Sequence, residues 1–376
     1  MKTLAATLYQ MELPEPYSQS KPLIVEEVEL RGPDAGEVLV EITGAGLCHS
    51  DLSVINGSRP RPMPMLLGHE ATGIVRETGR SVNGLVAGDS VLFTFIPMCG
   101  HCAYCRGGRP ALCENGSRSN FNGTLINGAK KFSSQRGGDL FHHCGVSAFS
   151  QFTVTTPESL VKIEPGLPPE IAALFGCAVV TGVGAVMNTA KVQPGETVAV
   201  FGLGGVGLSA VMGAAAAGAV TIIAVDRLES KFPLARQAGA THVFQAGTAN
   251  TTQAIRDITN GGVDYAFECA GSADAMADAY HATRRGGTTV TVGLPHPSRQ
   301  FSVPAVTITA EERIVRGSYM GSCLPLRDMP KYIELFRAGR LPVDRLFSRS
   351  IRLEEINEGF DALARGEVVR QIIRFD

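Results

Sequence analysis

The thirty-residue stretch from Thr197 to Asp226 leaves this chain little choice of fold. Its ends, Thr197–Phe201 and Val220–Val225, are apolar runs rich in β-branched residues, and its middle, Leu208–Gly218, is Ala-rich and suits a helix. Between the first run and the helix lies Gly202-Leu203-Gly204-Gly205-Val206-Gly207. In a strand, turn, helix and strand unit these glycines have separate tasks. Gly202 permits the tight turn, Gly204 lets backbone N–H groups approach a pyrophosphate at the helix N-terminus, and Gly207 lets the helix pack close to its strand. The spacing alone is weak evidence, but Asp226 follows Gly202 by 24 positions at the end of the second run, which is the context a dinucleotide site needs. A carboxylate there accepts the ribose hydroxyls of NAD and repels the 2′-phosphate of NADP, while neighbouring Arg227 keeps NADP or dual use open.

The same stretch carries no charge before Asp226 and is long enough to span a bilayer, which takes about 20 apolar residues. Six glycines and β-type ends argue instead for parallel strands covered on both faces. At 376 residues the chain predicts two domains, and 44% hydrophobic against 19% charged residues supports a well-buried interior. A net charge of −2 gives no electrostatic reason to expect nucleic acid or an anionic membrane as partner. The opening MKTLAATLYQMELPEP has one Lys and a short apolar run, so it lacks the apolar core of a signal peptide and predicts a cytoplasmic protein. Nine unevenly spread cysteines fit metal ligands in a reducing compartment better than a disulfide framework.

Residues 1–95 contain short β-type runs, Leu23–Leu30, Glu37–Thr43, Gly73–Glu77 and Ser90–Phe95, separated by Gly and Pro signals, and predict a β-rich antiparallel half. Next to it Cys99, Cys102, Cys105 and Cys113 place four thiols in fifteen residues, enough to close a tetrahedral structural zinc site with no position left for substrate. A ferredoxin-type cluster also begins with two C-x2-C steps, but its fourth Cys follows after three residues and precedes Pro; here it follows after seven and precedes Glu114. A nucleic-acid zinc ribbon would want basic surroundings. Cys48-His49-Ser50-Asp51, Gly68-His69-Glu70 and Cys177 are each unremarkable alone, a buried histidine and small core cysteines among them. Together, Cys48, His69 and Cys177 supply three ligands and leave a fourth position open, as a catalytic zinc requires.

With these elements in this order, the whole chain resembles the zinc-dependent alcohol dehydrogenases of the medium-chain dehydrogenase/reductase superfamily. The resemblance also takes in Gly88-Asp89, Phe267-Glu268 and Arg370-Gln-Ile-Ile. It implies an α/β fold: a GroES-like catalytic domain from residues 1–178 and 322–376, with a zinc lobe at about 97–115, and a doubly wound Rossmann domain over 179–321, with catalytic zinc in the cleft. It implies alcohol oxidation, or the reverse, by hydride transfer to NAD, with zinc as the Lewis acid. By the same resemblance Ser50 is expected to take the alcohol proton, Asp51 to orient His69 by hydrogen-bonding its ring, and Glu70 to lie behind the metal. The resemblance puts His49 and Arg370 at the pyrophosphate, Lys231 at the adenosine ribose, and Thr181 and Leu294 at the rest of the cofactor; the bland alternative for Lys231 and Arg370 is that of exposed surface cations.

Two departures stand out. Several relatives end the proton relay in a histidine where this chain has Ser53, and liver-type enzymes carry an arginine where it has His49, as yeast-type ones do. The segment between Cys113 and Phe149 reads as one long Gly/Ser/Asn-rich loop, of a length that matches the dimeric, long-chain members, so a homodimer is expected and a tetramer remains open. Phe95, His143, Cys144 and Leu294 fall where the family lines its substrate pocket, and its apolar character suggests a medium or bulky primary alcohol, aromatic or allylic included. The glutathione-linked formaldehyde dehydrogenases are the enzymatic alternative, although Gly57 and Arg59 stand where those carry acids. A non-catalytic zinc- and nucleotide-binding protein is the other.

Overall fold

The computed structural model describes residues 1–248 and 250–375, in two compact units. The first comprises Met1–Cys177, Leu324–Pro330 and Phe347–Asp376; the second, Ala178–Cys323 and Lys331–Leu346.

The first unit is built on two sheets. The larger runs in the order Leu160–Ile163, Ser90–Phe93, Glu70–Thr78, Val38–Gly46, Arg370–Arg374 and Phe347–Ile351, with Phe152–Thr155 also paired to Val38–Gly46. Its pairs are antiparallel except the last, which is parallel. Val38–Gly46 is central because Val38, Val40 and Ile42 are buried while its end, Gly44-Ala45-Gly46, is small. That smallness serves the site, since a Cβ on Gly46 would stand 2.5 Å from Glu70 Oε1. Arg370–Arg374 pairs with the same strand, Ile372 opposite Gly46, so the two ends of the sequence share one sheet. The second sheet runs Gly138–Asp139, Phe132–Ser134, Leu23–Leu30, Lys2–Leu8, Met65–Leu66 and Phe141–His142. One apolar core, including Leu8, Val28, Val40, Val75, Phe149 and Phe360, joins the two.

The second unit is a six-stranded parallel sheet in the order His242–Gln245, Thr221–Asp226, Thr197–Phe201, Val263–Glu268, Thr283–Thr291 and Ile314–Gly317. The chain adds strands to one side of Thr197–Phe201 and then returns to its other side, which puts the topological switch point, the usual ligand crevice of such sheets, at the C-terminal end of that strand. There Gly202 has φ +94°, and the helix Gly205–Ala217 begins three residues later. A Cβ on Gly207 would collide with the Gly202 carbonyl, whereas above Gly204 there is open space. Thr197–Asp226 is therefore a strand, helix and strand unit. Among the described residues no single helix is long and apolar enough to cross a membrane.

Two sequence expectations need correcting. Cys113–Phe149 is not one loop, because it holds the helix Glu114–Asn122 and the strands Phe132–Ser134, Gly138–Asp139 and Phe141–His142. The Cys113 sulfur accepts the Gly116 N–H and so caps the helix, and Gly123 at φ +65° ends it, signals a hydrophobic pattern does not carry. The C-terminal part does not return whole to the first unit: Lys331–Leu346 belongs to the second, where Tyr332 is buried and its hydroxyl accepts a 3.0 Å hydrogen bond from Asn188. For Arg370 the bland alternative of a surface cation falls, since it is 2% exposed.

Candidate active site

Cys48, His69 and Cys177 come from three places in the first unit. Cys48 follows the central strand and precedes the helix His49–Ile55, His69 precedes the strand Glu70–Thr78, and Cys177 follows the turn Ala173–Gly176. All three are buried, and their ligand atoms lie within 4.8 Å of one another. His69 Nδ1 donates to Asp51 Oδ1 at 3.0 Å. Since a carboxylate only accepts, this fixes the proton on Nδ1 and leaves Nε2 as a lone-pair donor. Among the described residues that buried Nε2 has no hydrogen-bond partner, and a buried nitrogen of this kind beside two thiols is the donor set of a zinc ion.

The charges around this set favour a thiolate. The hydrogen bond from Cys177 holds Cys48 well below the ordinary thiol range against the effect of burial, with Arg370 and His69 adding to it. Cys177, as donor in that bond and buried, is pushed well above it. Arg370 Nε donates to Glu70 Oε1 at 3.2 Å, and another guanidinium nitrogen stands 3.7 Å from the Cys48 sulfur. Glu70 and Arg370 thus form a buried ion pair behind the ligands, and Arg370 is committed to it. Burial pulls the Arg370 guanidinium down, but Glu70 and the two thiols more than restore it. Asp51 is likewise raised by burial and lowered further by His69 and His143, ending below the usual carboxylate range.

Phe95 stands edge-on to His69 at 5.9 Å between ring centroids, and His143 stands edge-on to the same His69 ring at 5.4 Å. His143 Nδ1 also lies 3.2 Å from Asp51 Oδ1. The pocket expectation for His143 did not include this contact with the carboxylate, which nothing in the local sequence signals. Cys144, its neighbour, is half-buried, and its thiol is lowered by His143 in spite of burial. Ser50 and exposed His49 occupy the first turn of His49–Ile55, and Ser53 Oγ donates back to the His49 carbonyl at 2.8 Å.

Cys99, Cys102, Cys105 and Cys113 also gather their sulfurs within 4.8 Å. Backbone N–H groups of Cys102 and Gly116 donate to the sulfurs of Cys99 and Cys113, each at 3.3 Å, and all nine cysteines of the chain are free. Burial opposes ionisation of Cys99, yet backbone donors at His101 and Cys102 bring it down to about 6, while burial sends Cys105 up to about 12. The four-thiol donor set fits a second, closed metal site.

In the second unit Asp226 Oδ2 accepts the Leu203 N–H at 2.7 Å and Lys231 Nζ at 3.3 Å, and Oδ1 accepts the Leu228 N–H at 2.9 Å. Asp226 therefore shapes the glycine turn, and Lys231 is partly covered rather than freely exposed. Thr181 is buried with an unpartnered Oγ1. Its helix, Ala178–Gly184, packs close on the start of Gly205–Ala217, because a Cβ on Gly182 would stand 2.6 Å from the Ser209 Cβ. Open space over Gly204, an unsatisfied hydroxyl nearby and a carboxylate at the turn fit a dinucleotide. Arg227 and Leu294 are exposed.

Known proteins agree with this geometry. Residues 34–165 match the alcohol dehydrogenase GroES-like domain, and residues 205–338 the zinc-binding dehydrogenase domain. The alcohol dehydrogenase class-3 of Drosophila melanogaster is 37% identical over 365 residues, 96% of either chain. Benzyl alcohol dehydrogenase from Acinetobacter calcoaceticus superposes with a TM-score of 0.92 at 31% identity, covering 100% of both chains. A zinc-binding dehydrogenase from Sinorhizobium meliloti, solved bound to NADP, gives 0.82 at 25% identity, again over the full length of both. With both halves matched by these family models and the likeness running along 96% of the chain, the chain belongs to the zinc-dependent alcohol dehydrogenases, oxidoreductases of the medium-chain dehydrogenase/reductase superfamily.

Proposed function

We propose that this protein oxidises medium or bulky primary alcohols, aromatic or allylic ones included, to aldehydes and catalyses the reverse, with NAD as hydride acceptor. The observation that carries the reading is the unpartnered, buried Nε2 of His69 between the thiols of Cys48 and Cys177. Zinc held there supplies Lewis acidity to an alcohol oxygen. The protein's own residues do the rest. Asp51 holds the His69 tautomer, the Glu70–Arg370 pair keeps a compensated charge behind the thiols, and Ser50 takes the alcohol proton and passes it on. Ser53 is not the terminal base, since its hydroxyl is engaged with the His49 carbonyl and does not ionise near neutral pH. The proton leaves to water or through His49. A rim of Phe95 beside His69 favours a flat, apolar substrate, in keeping with the benzyl alcohol dehydrogenase neighbour.

The second metal site, at Cys99, Cys102, Cys105 and Cys113, is read as structural, giving two zinc ions per chain. Asp226 favours NAD; the NADP-bound neighbour supports the opposite choice and makes the cofactor comparison part of the test. A cytoplasmic homodimer is the expected form. Among the described residues the edge strand Ile314–Gly317 pairs on one side only, and it exposes Ile314 and Val315, near in sequence to exposed Val306 and Ile308, the kind of edge a second copy would cover. The deciding experiment measures NADH and NADPH formation with aliphatic, benzylic and terpenoid alcohols and with S-hydroxymethylglutathione, alongside zinc content and mass in solution. Benzylic turnover with NAD and two zinc ions is expected. No turnover in a zinc-loaded protein would favour the non-catalytic reading, and turnover confined to the glutathione adduct would favour the formaldehyde dehydrogenase reading.

A further inference from the structure

The Asp51 carboxylate serves two imidazoles. Its Oδ1 takes His69 Nδ1 at 3.0 Å, the Gly68 N–H at 3.2 Å and the Nδ1 of His143 at 3.2 Å. The His143 contact has the right length but not the direction of a well-formed hydrogen bond, so Nδ1 stands against the carboxylate by placement. Asp51, His69 and His143 are all essentially excluded from solvent.

The chain is bent to bring His143 there. Cys144 and Gly145, at φ +57° and +65°, are two left-handed residues in succession, and the first is a non-glycine. They fold the backbone into a turn in which the Val146 and Ser147 N–H groups return to the His143 carbonyl at 3.0 and 3.2 Å, while the His143 N–H donates to Ser147 Oγ at 3.0 Å. The ring is thereby pinned from its own backbone. It meets His69 edge-on, at 85°, while Phe95 meets the same imidazole edge-on at 88°. His69 is thus touched by two rings, with its Nδ1 on a carboxylate that His143 also approaches.

We propose that His143 is a positioning residue for the catalytic metal: acting through Asp51 and by edge contact with His69, it fixes the direction of His69 Nε2. This rests on the reading of Cys48, His69 and Cys177 as the metal site. The role belongs to the Nδ1 position of the ring and not to its bulk alone. His143→Asn keeps a polar nitrogen or oxygen near the place of Nδ1, His143→Gln moves it toward the place of Nε2, and His143→Phe keeps only the ring.

The test exchanges the metal for cobalt in the full-length protein and reads both the visible d–d bands of the catalytic site and the rate of metal loss to a chelator. Cys177→Ala is the control: it must remove the bands of one cobalt and leave those of the four-cysteine site, and if it does not, the metal-site reading itself fails. Loss of an outer-shell partner commonly costs about 10- to 100-fold in metal affinity. His143→Phe is expected to weaken catalytic-site cobalt by a factor in that range and to shift its bands, with the four-cysteine site unchanged, and His143→Asn is expected to restore most of both where His143→Gln does not. Wild-type bands and retention in His143→Phe, while Cys177→Ala behaves as stated, would overturn the proposal. So would equal losses in the Phe, Asn and Gln variants, which would reduce His143 to packing.

Discussion

His142, one residue before the ring that faces Asp51, carries a worked prediction about acid stability. It is fully buried, its Nε2 accepts the Lys131 N–H at 3.1 Å and its Nδ1 lies 3.3 Å from Ser147 Oγ. Burial, aided by the charges of Lys131, Arg31 and Lys130, holds it down at about 3. The native state therefore keeps this imidazole neutral while the unfolded chain protonates it below about 6.5. Between those two values the unfolded state binds the extra proton, so stability is greatest above about pH 6.5 and falls as the pH is lowered, by about 1.4 kcal/mol per unit. From pH 7.5 to 5.0 the loss from this one group comes to about 2 kcal/mol. His142→Gln keeps an acceptor for the Lys131 N–H and cannot titrate. In urea unfolding of the zinc-loaded protein followed by circular dichroism, the variant is expected to gain about 2 kcal/mol on the wild type across that range, whatever its offset at pH 7.5. Parallel curves, with the gap constant to about 0.5 kcal/mol against that 2 kcal/mol, would refute the assignment of a neutral buried His142.

Asp226→Asn removes the negative charge but keeps an acceptor for the Leu203 N–H. Hydrogen bonds to charged groups are worth about 1.5–3 kcal/mol, so kcat/KM with NAD should fall roughly 10- to 150-fold while NADP improves; a wild type that already prefers NADP would contradict it. Cys177→Ala should leave a folded protein with one zinc and no turnover, whereas Cys113→Ser should lower Tm and solubility first; metal analysis and thermal unfolding of the two variants side by side decide the matter. Lys131, 3% exposed at its side chain, is paired at 2.6 Å with equally buried Glu37 and at 2.9 Å with Asp34. Lys131→Met should cost about 3–5 kcal/mol by leaving Glu37 uncompensated, and Glu37→Gln in the same chain should recover much of it; additive losses would show that the pair is not coupled.

What could be read beforehand was whatever local chemistry dictates. The glycine turn was legible because Gly202 and Gly207 are required by a left-handed φ and a close backbone approach, both consequences of a strand feeding directly into a helix. The two thiol groups were legible through spacing or family likeness, since ligands must converge on an ion whatever the fold around them. The strand Lys2–Leu8 was not, because KTLAATL is Ala-rich and buried on both faces, which removes the alternation that marks a half-exposed strand. Arg370 shows the deeper limit. In the sequence it is singled out only by family likeness, as a contact for the pyrophosphate, and nothing near it in the chain announces a buried ion pair. In the structure it stands 300 positions from Glu70 and is paired with it behind Cys48. Only the pairing of Arg370–Arg374 with Val38–Gly46, a contact between the two ends of the chain, puts that charge where a thiolate can use it. Residues whose roles depend on such closure carry no local mark, and the same holds for His143, whose partner Asp51 lies on a different element and whose aim is set by the two left-handed residues that follow it.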